Sequence, residues 1–246
     1  MRSEYAKSRG VALALAVLGI AMLDGCGGGG YGGGGGGGMS GNLSSAPGDA
    51  AVAAFLQANH HLMLHATDSA NNSYTLQIDQ VANAGTTTFN GVGPAYSNTA
   101  TVALTKGATQ IGGSVDTSYY LLNPVMPLGK VNSSGSPYAI VTSATPIPMT
   151  LMVGGSGSFD NVTYYHDSSM GAVVDASETS TYTVTSRDYT TLLFCIQAVI
   201  SGTTAQGMLD GMANGTETDC YSVTAAGMAT VVSVSITAGG VTLMFK

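Results

Sequence analysis

Apolar and polar residues alternate strictly along short threonine-rich stretches that recur from residue 72 onward. In the clearest example, Tyr74, Leu76 and Ile78 alternate with threonine, glutamine and aspartate, and residues 99–105 repeat the pattern. A period of two residues places alternate side chains on opposite faces of a strand. Each stretch therefore predicts a strand with one buried and one solvated face, and the chain as a whole is predicted to be mainly β.

Turn-forming dipeptides separate the predicted strands. Asn90-Gly91 and Gly239-Gly240 are typical of tight connections between strands, and the second pair joins residues 229–237 to residues 241–245. Strands that follow one another without intervening helices favour an antiparallel sandwich or barrel. We expect an all-β fold, an antiparallel β-sandwich.

A weak internal repeat bears on the number of domains in the β region, residues 69–246. Three short segments share Thr-Leu at their second and third positions: YTLQI, MTLMV and VTLMF. Their spacing fits two tandem immunoglobulin-like modules, residues 73–153 and 154–246. Chance similarity among threonine-rich strands explains the repeat as well, so one domain and two domains both stay open.

Residues 47–68 have helical periodicity and precede the β region. Their apolar residues recur at about 100° per residue, which predicts one short amphipathic helix packed on the core. The opposite face carries His61, His65 and Asp68 at positions i, i+4 and i+7. On a helix this spacing can ligate Zn²⁺ or Cu²⁺. Three solvated side chains on an outer face explain the same pattern.

The N-terminus has basic residues, then an apolar run, then a cysteine. The run occupies residues 11–23, VALALAVLGIAML. It is shorter than the roughly 20 residues that cross a bilayer and is typical of a signal-peptide core. The residues that follow resemble the lipobox of bacterial lipoprotein precursors, with Leu23 at −3, Gly25 at −1 and Cys26 at +1. Asp24 departs from the small or hydroxyl residue usual at −2.

This resemblance implies removal of residues 1–25 as a lipoprotein signal peptide and acylation of Cys26, which then contacts membrane lipid. Residues 26–46 become the lipidated cysteine and a glycine-rich tether, because glycine runs do not pack. Gly27 stands where an aspartate retains enterobacterial lipoproteins in the inner membrane. The resemblance thus implies a lipid anchor in the bacterial cell envelope, at the outer membrane, and leaves open which side the domain faces.

Export to an oxidising compartment changes what is expected of the other two cysteines. With Cys26 acylated, Cys195 and Cys220 remain as an even pair, and we predict a disulfide between them. The bridge would staple residues 201–219, which are rich in glycine and methionine. Two buried free thiols are the alternative.

Two acidic patches offer oxygen ligands for Ca²⁺. One begins at Asp160 and the other is residues 214–219. The preferred ligands are Asp160, Asp167 and Asp175. Neither patch has the EF-hand spacing, and acidic turns without any metal explain both. No cofactor is predicted.

Composition and charge narrow the class of function. The formal net charge is −7. Proteins that bind nucleic acid usually present a basic surface, so this charge argues against nucleic-acid binding. Acidic and basic side chains do not cluster along the sequence, which favours a non-enzymatic envelope module with a structural, adhesive or ligand-binding role and an unidentified protein or glycan partner. The alternative is an envelope hydrolase or a metal-dependent enzyme, which a deep polar pocket around His166 or Glu217 would favour.

Overall fold

The computed structural model describes residues 42–171 and 173–246. Cys26, the predicted signal peptide and most of the predicted tether lie outside these residues. In chain order the elements are β1 (Ser45–Pro47), α1 (Asp49–Leu56), β2 (His60–Thr67), β3 (Ser73–Ala82), β4 (Thr87–Phe89), β5 (Val92–Lys106), β6 (Thr109–Leu121), β7 (Met126–Asn132), β8 (Tyr138–Ala144), β9 (Thr150–Met152), β10 (Ser156–Tyr165), β11 (Val174–Ser186), β12 (Thr191–Ser201), α2 (Ala205–Leu209), β13 (Gly215–Thr224), β14 (Ala229–Ala238) and β15 (Val241–Phe245). Neither helix in this part of the chain is long and apolar enough to cross a membrane.

Most of the strands form one antiparallel sheet that follows the order of the chain, except that β4 and β9 are passed over. The order across the sheet is β2-β3-β5-β6-β7-β8-β10-β11-β12-β13-β14-β15, and β4 pairs with β5 outside this path. The two end strands meet. The His65 N–H donates to Lys246 O and the Lys246 N–H donates to His65 O, each at 3.0 Å. The sheet is therefore nearly closed into a barrel.

This architecture confirms an all-β antiparallel fold but does not confirm a sandwich or two modules. β8 pairs with β10 across the expected boundary between residues 73–153 and 154–246, so the ladder is continuous there. Among the described residues, the only other sheet is the two-stranded pair of β1 and β9, which is too small to form the second layer of a sandwich. Closure of one sheet on itself also removes the free edges that two separate sheets would each keep.

The predicted helix over residues 47–68 is wrong in its second half. α1 ends at Leu56, and His60–Thr67 forms β2. Burial alternates at every residue of β2, which is the period of a strand. The apolar residues of this stretch fit a helical stripe only by coincidence, and a full ladder with β3 stabilises the extended conformation instead.

α1 fills one end of the barrel. Phe55 is buried and its ring lies edge-on to the ring of Tyr221 on β13, with centroids 5.6 Å apart. The carbonyl oxygen of Leu56 accepts hydrogen bonds from the Tyr120 hydroxyl at 2.8 Å and from Asn98 Nδ2 at 3.4 Å. Inward-facing barrel side chains therefore satisfy a carbonyl group at the buried end of the helix.

The connection between β12 and β13, which contains α2, covers the opposite end. Met212 of this connection is buried against Tyr164, Ile200 and Ala139. The Thr204 N–H also donates to Asp175 O at 2.8 Å, which ties the connection to the start of β11. Buried acidic side chains lie in the barrel interior between α1 and Met212.

Candidate functional site

A group of carboxyl side chains lies inside the barrel between its two covered ends. The interior acidic cluster consists of Asp160 on β10, Glu178 on β11, and Glu217 and Asp219 on β13, and all four are buried. Glu217 and Asp219 have the same parity as the core residues Tyr221 and Val223. The alternation that buries the core residues of β13 therefore also turns its two acids inward.

Burial makes the ionised forms of these carboxyl groups costly. It raises the pKa of Asp160 to about 6 and that of Asp219 to about 7, and the charge of Glu178 adds to the effect in both cases. Burial and the neighbouring Asp219 raise the pKa of Glu217 well above its ordinary value. Within the described residues, Asp160 Oδ1, Glu217 Oε1 and both carboxylate oxygens of Asp219 accept no hydrogen bond.

A tyrosine and a lysine accompany the cluster. The Tyr164 hydroxyl donates to Glu178 Oε2 at 2.5 Å. Lys130 Nζ lies 5.3 Å from the centre of the Tyr164 ring. The positive charge of Lys130 lowers the pKa of Asp160 and of Asp219, but burial outweighs it. The interior thus combines acidic groups, a cation and an aromatic ring in a region with little access to water.

A cavity reaches this cluster where two strands separate. β7 and β8 pair only at residues 129–131 and 138–140, so the first part of β7 diverges from the second part of β8. The cavity lies beside this gap. Its lining includes Tyr120, Pro127, Lys130, Val141, Phe159 and Asp160. The volume in which the centre of a water molecule can lie is about 40 Å³. This is enough room for a chemical group of a few heavy atoms.

A second polar group lies at the end of the barrel that α2 covers. The rim cluster consists of His166 after β10, Asp175 at the start of β11 and Asp210 after α2. One potential ligand atom from each residue lies within 4.8 Å of the other two. His166 Nδ1 is 2.8 Å from Asp210 Oδ2, and Gln206 Nε2 donates to Asp210 Oδ1 at 3.1 Å.

The rim cluster shifts the pKa of each of its members. Hydrogen bonding to Asp210 raises the pKa of His166. Burial acts to raise the pKa of Asp210, but hydrogen bonds, first of all the one with His166, hold it below its ordinary value. Burial raises the pKa of Asp175. This arrangement can share protons, and the same imidazole and carboxylate atoms are metal ligands in other proteins.

The first predicted set of metal ligands does not come together. His61 and His65 lie four residues apart on a strand, about 13 Å at the usual rise, instead of one helical turn apart. His61 Nδ1 contacts Asp79 Oδ1, and His65 Nδ1 contacts Thr75 Oγ1 at 3.2 Å. Asp68 accepts hydrogen bonds within its own turn. The three residues therefore do not converge on one ion, because the helix that would align them is a strand.

The second predicted set is also divided. Asp160 faces the barrel interior, whereas Asp167 accepts hydrogen bonds from Ser169 in an exposed turn. Asp175 belongs to the rim cluster. His166 was considered from the sequence only as the centre of a polar pocket, and Asp210 was missed, because the members of the cluster come from separate elements. Only the register of β10 and β11 and the position of α2 bring them together.

Cys195 and Cys220 form the predicted disulfide. They lie directly opposite each other on β12 and β13. The ladder between these strands continues beyond the bridge as far as the pair of Ile200 and Gly215. Residues 215–219 are therefore held by the sheet as well as by the bridge, unlike the weak segment expected from their composition.

Comparisons with protein families, with curated proteins and with solved structures find no match to this chain.

Proposed function

We propose that this chain is a non-enzymatic lipoprotein of the cell envelope whose barrel binds a small organic amine. The observation that carries the proposal is the environment of Asp160. Its carboxyl group is buried, its Oδ1 accepts no hydrogen bond within the described residues, and it lines the cavity beside the gap between β7 and β8. A buried polar atom without a partner is destabilising, and a ligand that donates to it removes that cost.

The chemistry around Asp160 favours a cation over a neutral or anionic ligand. Asp160, Glu178 and Lys130 all line the cavity, so two acidic groups face one cation there and the balance of charge favours a cationic ligand over an anionic one. Tyr120 and Phe159 also line it, and aromatic rings attract ammonium groups. A primary ammonium group supplies a positive charge and several hydrogen-bond donors at once.

The size of the cavity limits which part of the ligand it holds. About 40 Å³ for water centres accommodates an ammonium group with the first carbons of a chain. Pro127 and Val141 line the cavity where the strands diverge and offer apolar contact to the rest of a short alkyl chain. The proposed ligand class is therefore a primary alkylamine.

The envelope location rests on the sequence. The apolar run at residues 11–23 and the lipobox-like Leu23-Asp24-Gly25-Cys26 support acylation of Cys26 and a lipid anchor at the outer membrane. The glycine-rich residues that follow have the composition of a flexible tether, with a reach of roughly 20 Å. The barrel would then meet its ligand close to the membrane.

Calorimetric titration of the full chain at pH 7.5 with n-butylamine, n-butanol and butyrate tests the binding. The account expects one n-butylamine per chain and at least tenfold weaker binding of the other two. Asp160→Asn should remove the preference for the amine. Asp79→Asn removes the same charge from the outer face of β3 and should keep it. Equal binding of the three probes, or an unchanged preference in Asp160→Asn, would contradict the proposal.

The second candidate function is enzymatic, because the raised pKa of a buried carboxyl group in the barrel interior is typical of catalytic residues. Asp160, with a pKa raised to about 6 by burial, faces a cavity and is suited to general acid or base catalysis near neutral pH. Hydrolysis of p-nitrophenyl esters or glycosides that is lost in Asp160→Asn would favour an envelope hydrolase over a binding module.

A further inference from the structure

Asp175 has an environment that a carboxylate rarely occupies without a ligand. Its relative exposure is 0%, and neither of its carboxylate oxygens accepts a hydrogen bond within the described residues. Burial of an unpaired carboxylate is among the most costly arrangements in a folded protein. A cation bound to this carboxylate would remove the cost.

Two further ligand types converge on the same point. His166 contributes an imidazole nitrogen and Asp210 a carboxylate, and their ligand atoms lie within 4.8 Å of that of Asp175 and of each other. Three separate elements supply the residues, so their convergence depends on the tertiary fold. Gln206 Nε2, which donates to Asp210 Oδ1 at 3.1 Å, orients one of the ligands from behind, as is usual around metal sites.

We propose that the rim cluster binds one Zn²⁺ ion through His166, Asp175 and Asp210. The types of ligand atom in the rim cluster indicate which metal ion it prefers. One imidazole and two carboxylates suit Zn²⁺, which accepts nitrogen and oxygen ligands together, whereas Mg²⁺ and Ca²⁺ prefer oxygen alone. Three protein ligands also leave a coordination position for water or a small ligand.

The ion would fasten one end of the barrel. Asp210 belongs to the connection between β12 and β13, while Asp175 and His166 belong to β11 and the end of β10. Met212 of that connection packs against Tyr164, whose hydroxyl donates to Glu178 in the interior acidic cluster. Zinc binding would therefore hold in place the segment that covers the polar interior.

Two features make the test specific. The outer face of β2 offers a competing zinc ligand in His61, so His61→Ala shows whether binding there is adventitious. Asp167→Asn is matched in charge to Asp175→Asn, but its carboxylate faces an exposed turn. Asparagine has the shape of a protonated aspartate, and its amide can still donate a hydrogen bond to Asp210, so Asp175→Asn should fold and should not lower the thermal midpoint of the zinc-free protein.

The experiment is calorimetric titration of the chelator-treated full chain with ZnCl₂, together with thermal melts with and without Zn²⁺. We expect one ion per chain and a rise in the thermal midpoint, with no rise for Mg²⁺. Asp175→Asn and His166→Ala should each weaken zinc binding at least tenfold, while Asp167→Asn and His61→Ala change it less than threefold. Wild-type affinity in Asp175→Asn, or loss of binding in His61→Ala, would overturn the proposal and leave an adventitious ion only.

Discussion

Glu217 and Asp219 lie two residues apart on β13 and both face the barrel interior, where burial raises the pKa of each. Residues i and i+2 share one face of a strand, so two acids at this spacing are buried side by side whenever the strand buries that face. Glu178 adds a third carboxyl group, and the charge of Lys130 only partly offsets them. The protonation of the carboxyl groups inside this barrel, and with it the stability of the fold, therefore depends on pH.

Stability should fall as the pH rises from 4 to 8. An aspartate whose pKa is raised on folding binds its proton more tightly in the folded state. Its contribution is fully present below the unfolded pKa, near 3.9, and is lost as the pH rises through the folded value, about 7 for Asp219. Asp219→Asn should therefore raise the unfolding free energy at pH 8 by on the order of 4 kcal/mol and change it little at pH 4. Urea unfolding at the two pH values measures this.

The exposed Asp167 provides the control for that experiment. Hydrogen bonds from Ser169 lower its pKa, so Asp167→Asn should not stabilise the protein at pH 8. An unfolding free energy at pH 8 that is unchanged or lower in Asp219→Asn would show that the interior acids are not buried as described.

The disulfide should contribute measurably to stability. It joins cysteines 25 residues apart in sequence, for which the chain-entropy model gives about 3.5 kcal/mol. Replacing both Cys195 and Cys220 by serine should lower the unfolding free energy by up to this amount without abolishing the fold, because the ladder between β12 and β13 persists on both sides of the bridge. Peptide mapping without reductant should recover the linked peptides, and two alkylatable thiols in the folded protein would contradict the prediction.

The helix inside the barrel should be a major source of stability. Phe55 is 2% exposed and packs against Tyr221, so Phe55→Ala should lower the unfolding free energy by about 3–5 kcal/mol. Met63, which is 53% exposed on β2, is the control, and Met63→Ala should change it by less than about 0.5 kcal/mol. If Phe55→Ala and Met63→Ala lowered the unfolding free energy equally, α1 would not be part of the core, which would contradict the prediction.

The lipid anchor can be tested independently of the barrel. Cys26→Ala should abolish labelling by palmitate and release the protein from the membrane fraction, because the proposed anchor would be attached to that thiol. Fractionation of cells fed labelled palmitate measures both effects. Full labelling of the alanine variant in the membrane fraction would show that the lipobox resemblance is misleading.

Strands such as β3 and β5 could be predicted from the sequence because each carries its own signal of period two. Tyr182 and Val184 reveal the buried face of β11, and Glu178 has the same parity, so the interior acids also had a local signal that went unused. The β2 segment was predicted wrongly because Leu62, Met63 and Ala66 fit a helical stripe, whereas in the strand Met63 faces outward, away from Leu62 and Ala66. Long-range pairing with β3, which no local window contains, decides between the two.

The rim cluster had no such signal. Asp175 and Asp210 are far apart in sequence, and His166 follows a strand that had to be placed beside β11 before any contact could be inferred. Closure of the sheet depends in the same way on the contact of β2 with β15, where His65 and Lys246, far apart in sequence, exchange backbone hydrogen bonds. These features follow from strand order, which short-range patterns do not determine.

Whether the barrel binds an amine at Asp160 can be seen in a crystal structure of the protein grown with n-butylamine. We expect the ammonium nitrogen within hydrogen-bonding distance of Asp160 Oδ1, with the alkyl chain directed toward the gap between β7 and β8. An amine found only on the outer surface, or a cavity beside Asp160 that holds nothing but water at a saturating amine concentration, would contradict it.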